Sequence, residues 1–137
     1  MKPKLIQVKD VMKHQVDFVD GMKTVKEALH EMQHIETKTL IVNKRHTHDE
    51  WGIVVISDIA RIILAGDKSV ERTNVYEVMS KPAVTIRQDM DIRYCARMFE
   101  RFGLSSAPVV RHGEIIGIIS YTDMVLKGLC KITSEND

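Results

Sequence analysis

The chain has 137 residues, enough for one compact domain or two very small ones. Hydrophobic residues at 44% and charged residues at 28% are ordinary for a globular protein. Twenty basic against nineteen acidic side chains leave a formal charge of +1, which excludes a whole-chain electrostatic footprint for nucleic acid or an anionic membrane.

In chain order, a short strand is predicted over Val16–Val19. A helix follows, opened by Lys23-Thr24 and carrying Val25, Ala28, Leu29 and Met32 at helical spacing. Next come a strand at Thr39–Val42, a polar loop at Arg45–Glu50 and a continuous apolar strand at Gly52–Ile56. A helix then starts near Ser57-Asp58, and the polar segment Gly66–Asn74 leads onward. The same succession recurs. It has a strand at Ala83–Ile86, a helix capped by Asp91 that buries Ile92, Cys95, Ala96 and Phe99, and a strand at Ala107–Val110. A turn at His112-Gly113 follows, where glycine accommodates positive φ. A strand at Ile115–Ile119 and a helix from Thr122-Asp123 close the copy.

The recurrence is visible in the residues themselves. Val8-Lys-Asp-Val-Met12 returns as Val75-Tyr-Glu-Val-Met79, and Trp51–Asp58 returns as Ile116–Asp123. The offset is 67 residues for the first pair and 65 for the second, so copy one carries two extra residues, placed most simply in the Arg45–Glu50 loop. One copy alone has a marginal core. Two copies related by a pseudo-two-fold axis, packed sheet to sheet, bury both apolar faces. The expected fold is α+β, two βαββα repeats spanning 8–66 and 75–132, with a linker at 67–74 and a polar tail at 133–137.

The N-terminal residues Met1–Lys9 contain no apolar run of the signal-peptide kind. No apolar stretch approaches the length of a membrane span. Cys95 and Cys130 belong to no CxxC pair, which leads to an expectation of reduced thiols in a cytoplasmic protein.

Three features of the repeat, Val11-Met12 with Val78-Met79, Ala107-Pro108-Val109-Val110 and above all Gly117-Ile-Ile-Ser120-Tyr-Thr122-Asp123, resemble the tandem cystathionine-β-synthase (CBS) domain pair, or Bateman module. The resemblance covers roughly Val8 to Lys131. It implies an adenosine-containing ligand, AMP, ADP, ATP or S-adenosylmethionine, in a cleft between the repeats. Asp123 would accept from the ribose hydroxyls, with Ser120 and Thr122 contacting ribose or phosphate. A carboxylate suits this role, because its four acceptor sites can receive both donors of a vicinal diol. The resemblance also brings His14, Val16, Phe18 and Leu40 toward the adenine.

A second, weaker site would hold Asp58, Lys38, Thr85 and Pro108. Copy one departs from the pattern there, with Val55 in place of the hydroxyl and no proline in Leu40-Ile41-Val42. Copy two departs as well. The basic residue that often meets phosphate is Lys38 in copy one and Ser105 in copy two, leaving Arg101, Arg111 or a residue of a partner chain as substitutes.

Simpler readings stand beside these. Ser120-x-x-Asp123 is also a capping box, with Ser accepting from the N–H three residues on and the acid reaching back. His30 and His34 stand four apart, a zinc-compatible spacing, yet lie at the margin of the buried helix face, and no metal is expected. Trp51 is a stacking platform or a packing residue. Met12, Met32, Met79 and Met98 read as core residues, and Arg93, Arg97, Glu100 and Arg101 as a solvated helix surface.

No catalytic triad, Walker loop, dinucleotide motif or cysteine cluster is present. The expectation is a regulatory, energy-sensing module and not an enzyme. It would bind an adenine nucleotide, form a homodimer as the resemblance implies, and signal to an unidentified protein target, without nucleic acid or membrane. The alternative is a structural, dimerisation and protein-interaction module with degenerate nucleotide sites.

Overall fold

A computed structural model describes residues 5–131, so the tail expected at 133–137 lies outside the described residues. The chain forms two compact units: Val16–Ala83, and residues 5–15 together with 84–131. Each is an α+β arrangement of one three-stranded sheet, two main helical segments and short 3-10 turns.

In the unit Val16–Ala83, β1 (Phe18–Val19) runs parallel to β2 (Thr39–Val42), which pairs antiparallel with β3 (Gly52–Val55). Helix α1 (Val25–Glu31) starts with a capping box: Thr24 accepts from the Glu27 N–H, and Glu27 reaches back to the Thr24 N–H. It stops at Glu31, earlier than the spacing through Met32 and His34 suggests. The buried Asp17 carboxylate takes the backbone N–H groups of Gln33 and His34 at 3.0 and 2.8 Å, and the chain turns away. His30 and His34 are therefore not on one helix. Helix α2 (Ile56–Ile59) continues directly as a π turn, Ala60–Leu64. Val19, Val25, Ala28, Leu40, Val54, Ile59 and Ile63 form the core, completed by Val75 and Val78.

In the other unit, β4 (Ile86–Arg87) is parallel to β5 (Ser106–Arg111), which pairs antiparallel with β6 (Glu114–Ser120). The β5–β6 turn places both His112 and Gly113 at positive φ, +51° and +79°. Helix α3 (Ile92–Phe102) is capped by Asp91, whose carboxylate accepts from the Arg93 N–H, and ends at Gly103 with φ +66°. It buries Ile92, Cys95 and Phe99, an apolar stripe at the spacing a helix requires. Helix α4 (Tyr121–Asp123) continues as the π turn Met124–Leu129, at the same repeat position as the π turn after α2. A Cβ on Gly128 would lie 2.5 Å from Ile92 Cδ1, so the glycine allows this segment to close on α3.

Each compact unit takes its lead-in segment from the other sequence repeat. Val8, Val11 and Met12 lie in the core with α3 and β6 of repeat two, whereas Val75 and Val78 lie with α1 and β3 of repeat one. Reciprocal backbone hydrogen bonds fix both lead-ins. Lys13 and Ile118 exchange two at 2.9 Å; Ser80 and Ile53 exchange two at 2.8 and 2.9 Å. The repeat boundaries 8–66 and 75–132 and the compact units are thus different divisions of one chain.

Candidate functional site

β6 ends at Ser120, whose extended backbone makes it the N-cap of α4. Its hydroxyl accepts from the Asp123 N–H at 3.2 Å and donates to Asp123 Oδ2 at 2.9 Å. The capping box predicted from the sequence is only half formed: the Asp123 carboxylate takes the serine hydroxyl rather than reaching back to the Ser120 N–H. Oδ1 instead accepts from Lys13 Nζ at 2.5 Å, with Lys127 Nζ further off at 3.6 Å. Asp123 is 2% exposed, an unusual burial for a carboxylate and one that requires such partners. Thr122 is exposed in the first turn of α4.

Lys13 is the residue that sequence reasoning missed. It comes from the lead-in, 110 residues away, and its position is fixed by Gly117. A Cβ at Gly117 would sit 2.4 Å from the Lys13 carbonyl oxygen, so only glycine lets the lead-in pair against β6 there. The repeat gives no signal for it, because the matching lead-in position in copy two is Ser80.

Around Asp58 the pattern is weaker. Val55 occupies the N-cap of α2 without a capping side chain. The Asp58 carboxylate is 30% exposed and pairs with Arg61, one turn along its own helix, at 2.9 Å. Lys38 is exposed at φ +56°, and its carbonyl accepts from the Ile56 N–H at 3.0 Å, which brings its backbone beside the start of α2. The remaining residues of the weaker site belong to the other unit, with Thr85 exposed before β4 and Pro108 buried in β5 opposite Ile118.

Of the residues expected near an adenine, His14 follows Lys13 in the same unit as Asp123 and is exposed. Val16, Phe18 and Leu40 belong to the unit Val16–Ala83, where Leu40 is a core residue. Phe18 packs on Trp51 with ring centroids 5.8 Å apart, and Lys44 Nζ lies 5.3 Å from the Trp51 ring. Trp51 is therefore engaged by its neighbours, although its buried Nε1–H has no hydrogen-bond partner among the described residues. Arg111 pairs with Glu114 at the turn end of β5, the opposite end of the strand pair from Ser106 and Ser120.

The enlarged loop of copy one is clipped by Asp49. Its Oδ2 accepts from Lys81 Nζ at 2.8 Å and from the side-chain and backbone nitrogens of Arg45 at 3.1 and 2.9 Å. Lys81 first, and Arg45 after it, hold this carboxyl far below the usual carboxylate range. An open cavity of about 440 Å³ beside this loop is lined by Met22, Val42, Asn43, Arg45, Met79 and Lys81; neither Asp58 nor Lys38 reaches it. Burial pushes the Cys95 thiol up to about 12. Among the described residues no group of three His, Cys, Asp or Glu side chains is placed to hold a metal, and no helix is long and apolar enough to cross a membrane.

The family model for the CBS domain matches residues 8–65 and again 75–128. Among solved structures, the hexameric CBS-CP12 protein from bloom-forming cyanobacteria is 32% identical, with a TM-score of 0.85 over 90% of this chain and 71% of that one. The CBS domain pair of protein MJ0100, in complex with 5′-methylthioadenosine and S-adenosylmethionine, is 21% identical with a TM-score of 0.74, covering 93% and 99%. The CBS domain protein PAE2072 from Pyrobaculum aerophilum, complexed with AMP, is 16% identical with a TM-score of 0.77, covering 94% and 99%. The chain spans at most 61% of the length of the curated relatives it matches. With two family matches over most of its length and the repeated βαββα arrangement, the chain belongs to the CBS domain family, as a tandem pair.

Proposed function

We propose that this protein is a regulatory binding module for an adenosine-containing nucleotide of the AMP, ADP and ATP class, with Asp123 as the ribose ligand. The observation that carries this reading is the placement of a buried carboxylate at a strand-to-helix junction, oriented by Ser120 and neutralised by the chain's own Lys13. A buried carboxylate is costly, and a helix cap alone does not need one: the equivalent junction at Val55 is built without a capping side chain. The structures of related pairs bound to AMP and to S-adenosylmethionine with methylthioadenosine support an adenosine-containing ligand, and the AMP complex supports the nucleotide class.

Ser120, Thr122 and Asp123 carry the principal site, and Asp58 with Lys38 the weaker one. Regulation requires that the ligand bind two geometries of the pair unequally, since equal affinity shifts nothing. The response is energy sensing passed to a protein target in the cytoplasm, without chemical turnover. Self-association fits the exposed Tyr94, Phe102, Leu126 and Leu129 on the helices of the Asp123 unit. The related CBS-CP12 protein is a hexamer; a homodimer is the assembly proposed here, and sedimentation measures it.

The second reading, a structural interaction module with degenerate sites, is favoured by the Arg61 pair on Asp58 and the uncapped Val55 junction. Thermal stability across AMP, ADP, ATP and S-adenosylmethionine, with ribose-free phosphate as control, separates the two. A ligand at 100 times its dissociation constant stabilises by ~2.7 kcal/mol. A melting shift with an adenosyl compound and none with phosphate supports sensing; no shift with any of them favours the structural module.

A further inference from the structure

The carboxylate assigned to ribose is already occupied. Oδ1 holds the Lys13 ammonium at 2.5 Å and Oδ2 holds the Ser120 hydroxyl at 2.9 Å, with 2% of the side chain exposed. A ribose diol brings two donors; each carboxylate oxygen keeps a second lone pair, but with Asp123 2% exposed a hydroxyl reaches Oδ1 by taking the place of the partly exposed ammonium. Ser120 is committed to the cap through the Asp123 N–H, so Lys13, whose side chain is 21% exposed, is the partner able to leave.

This cation is built in. Two backbone hydrogen bonds to Ile118 and the absence of a Cβ at Gly117 hold Lys13 against β6. Copy one has Ser80 at the matching bridge, and its Asp58 is neutralised from within its own helix. Copy two in turn lacks the basic residue of Lys38 type, having Ser105, and Arg111 stands at the far end of β5.

We propose that Lys13 is the specificity-determining residue of the Asp123 site and selects adenosyl ligands that carry a 5′-phosphate. Without ligand its ammonium is the nearer of two on Asp123, at 2.5 Å, with Lys127 of the same helical segment at 3.6 Å. When the diol takes the carboxylate, the displaced ammonium, one sugar ring from the 5′ carbon, pairs with the phosphate. A neutral nucleoside strands it without a counterion, and the sulfonium of S-adenosylmethionine places like charge beside it. The site therefore takes AMP-class ligands ahead of adenosine, methylthioadenosine or S-adenosylmethionine. This inference rests on ribose binding at Asp123 and adds the selectivity.

The test is titration calorimetry of AMP and adenosine against the wild-type chain, Lys13→Met, Lys13→Arg and Asp123→Ala. Wild type is expected to prefer AMP by about tenfold or more, the scale of one charge-assisted contact. Lys13→Met should bring the ratio close to one, with adenosine bound no more weakly than by wild type, and Lys13→Arg should keep the preference. If Lys13→Met melts early, Lys13→Gln, which keeps a donor without charge, takes its place. An unchanged ratio in Lys13→Met, or equal loss of both ligands, overturns the selectivity while ribose binding stands if Asp123→Ala abolishes it. Absence of binding of either ligand to wild type and Lys13→Met overturns both.

Discussion

Replacing Ser120 by alanine removes two hydrogen bonds that share one hydroxyl: the cap on the Asp123 N–H at 3.2 Å and the donor to Asp123 Oδ2 at 2.9 Å. Loss of an N-cap costs about 1 kcal/mol. A hydrogen bond to a charged group contributes about 1.5–3 kcal/mol. The losses are not additive, because both fall on one residue and Asp123 retains Lys13. The expected destabilisation is therefore about 1.5–3 kcal/mol. Urea unfolding followed by far-ultraviolet circular dichroism measures it. Trp51, the single tryptophan, lies in the other compact unit, so its fluorescence reports separately whether that unit is affected. Ser120→Thr keeps the hydroxyl and should stay within about 0.5 kcal/mol of wild type. A Ser120→Ala loss below about 0.5 kcal/mol, the size of an ordinary surface change, would refute the role given to this hydroxyl.

Gly117→Ala should cost about 1–3 kcal/mol, since its Cβ would press on the Lys13 carbonyl oxygen and Met12 Sδ, and no rotamer change relieves a backbone contact; urea unfolding gives the value. Asp49 has a folded-state pKa depressed by Lys81 and Arg45, so its contribution is present above the ordinary value of 3.8 and is lost as pH falls below it. Asp49→Asn should accordingly lessen the decline in stability across the acid range, read as melting temperature against pH. Cys130 is exposed and Cys95 buried with its thiol pushed up to about 12, so a thiol reagent at pH 8 should label one cysteine in the native chain and two in denaturant. Equal labelling of both in the native chain would contradict the packing of α3.

Local rules made most elements legible. Thr24 and Asp91 cap the helices that the sequence assigns to them, His112-Gly113 forms the tight turn, and the Ile92, Cys95, Phe99 stripe is buried. Short-range pattern fails where tertiary partners decide. The end of α1 is set by Asp17 taking two backbone donors, and β1 and β4 are only two residues long because pairing with β2 and β5 ends there. The half-formed capping box is a further case, because a lysine 110 residues distant holds the oxygen that no residue reaching back to Ser120 then shares. That contact depends on the lead-in of one repeat folding with the body of the other, and no periodicity encodes the exchange. Ser120 and Asp123 could be singled out because cap and motif coincide; Lys13 could not.

The most direct test of Asp123 as the ribose ligand is calorimetric titration of AMP into wild type, Asp123→Ala and Asp58→Ala, with melting curves confirming that each variant is folded. The prediction is saturable binding to wild type and Asp58→Ala and its loss in Asp123→Ala. Saturable binding that persists in Asp123→Ala, or that disappears only in Asp58→Ala, would contradict it.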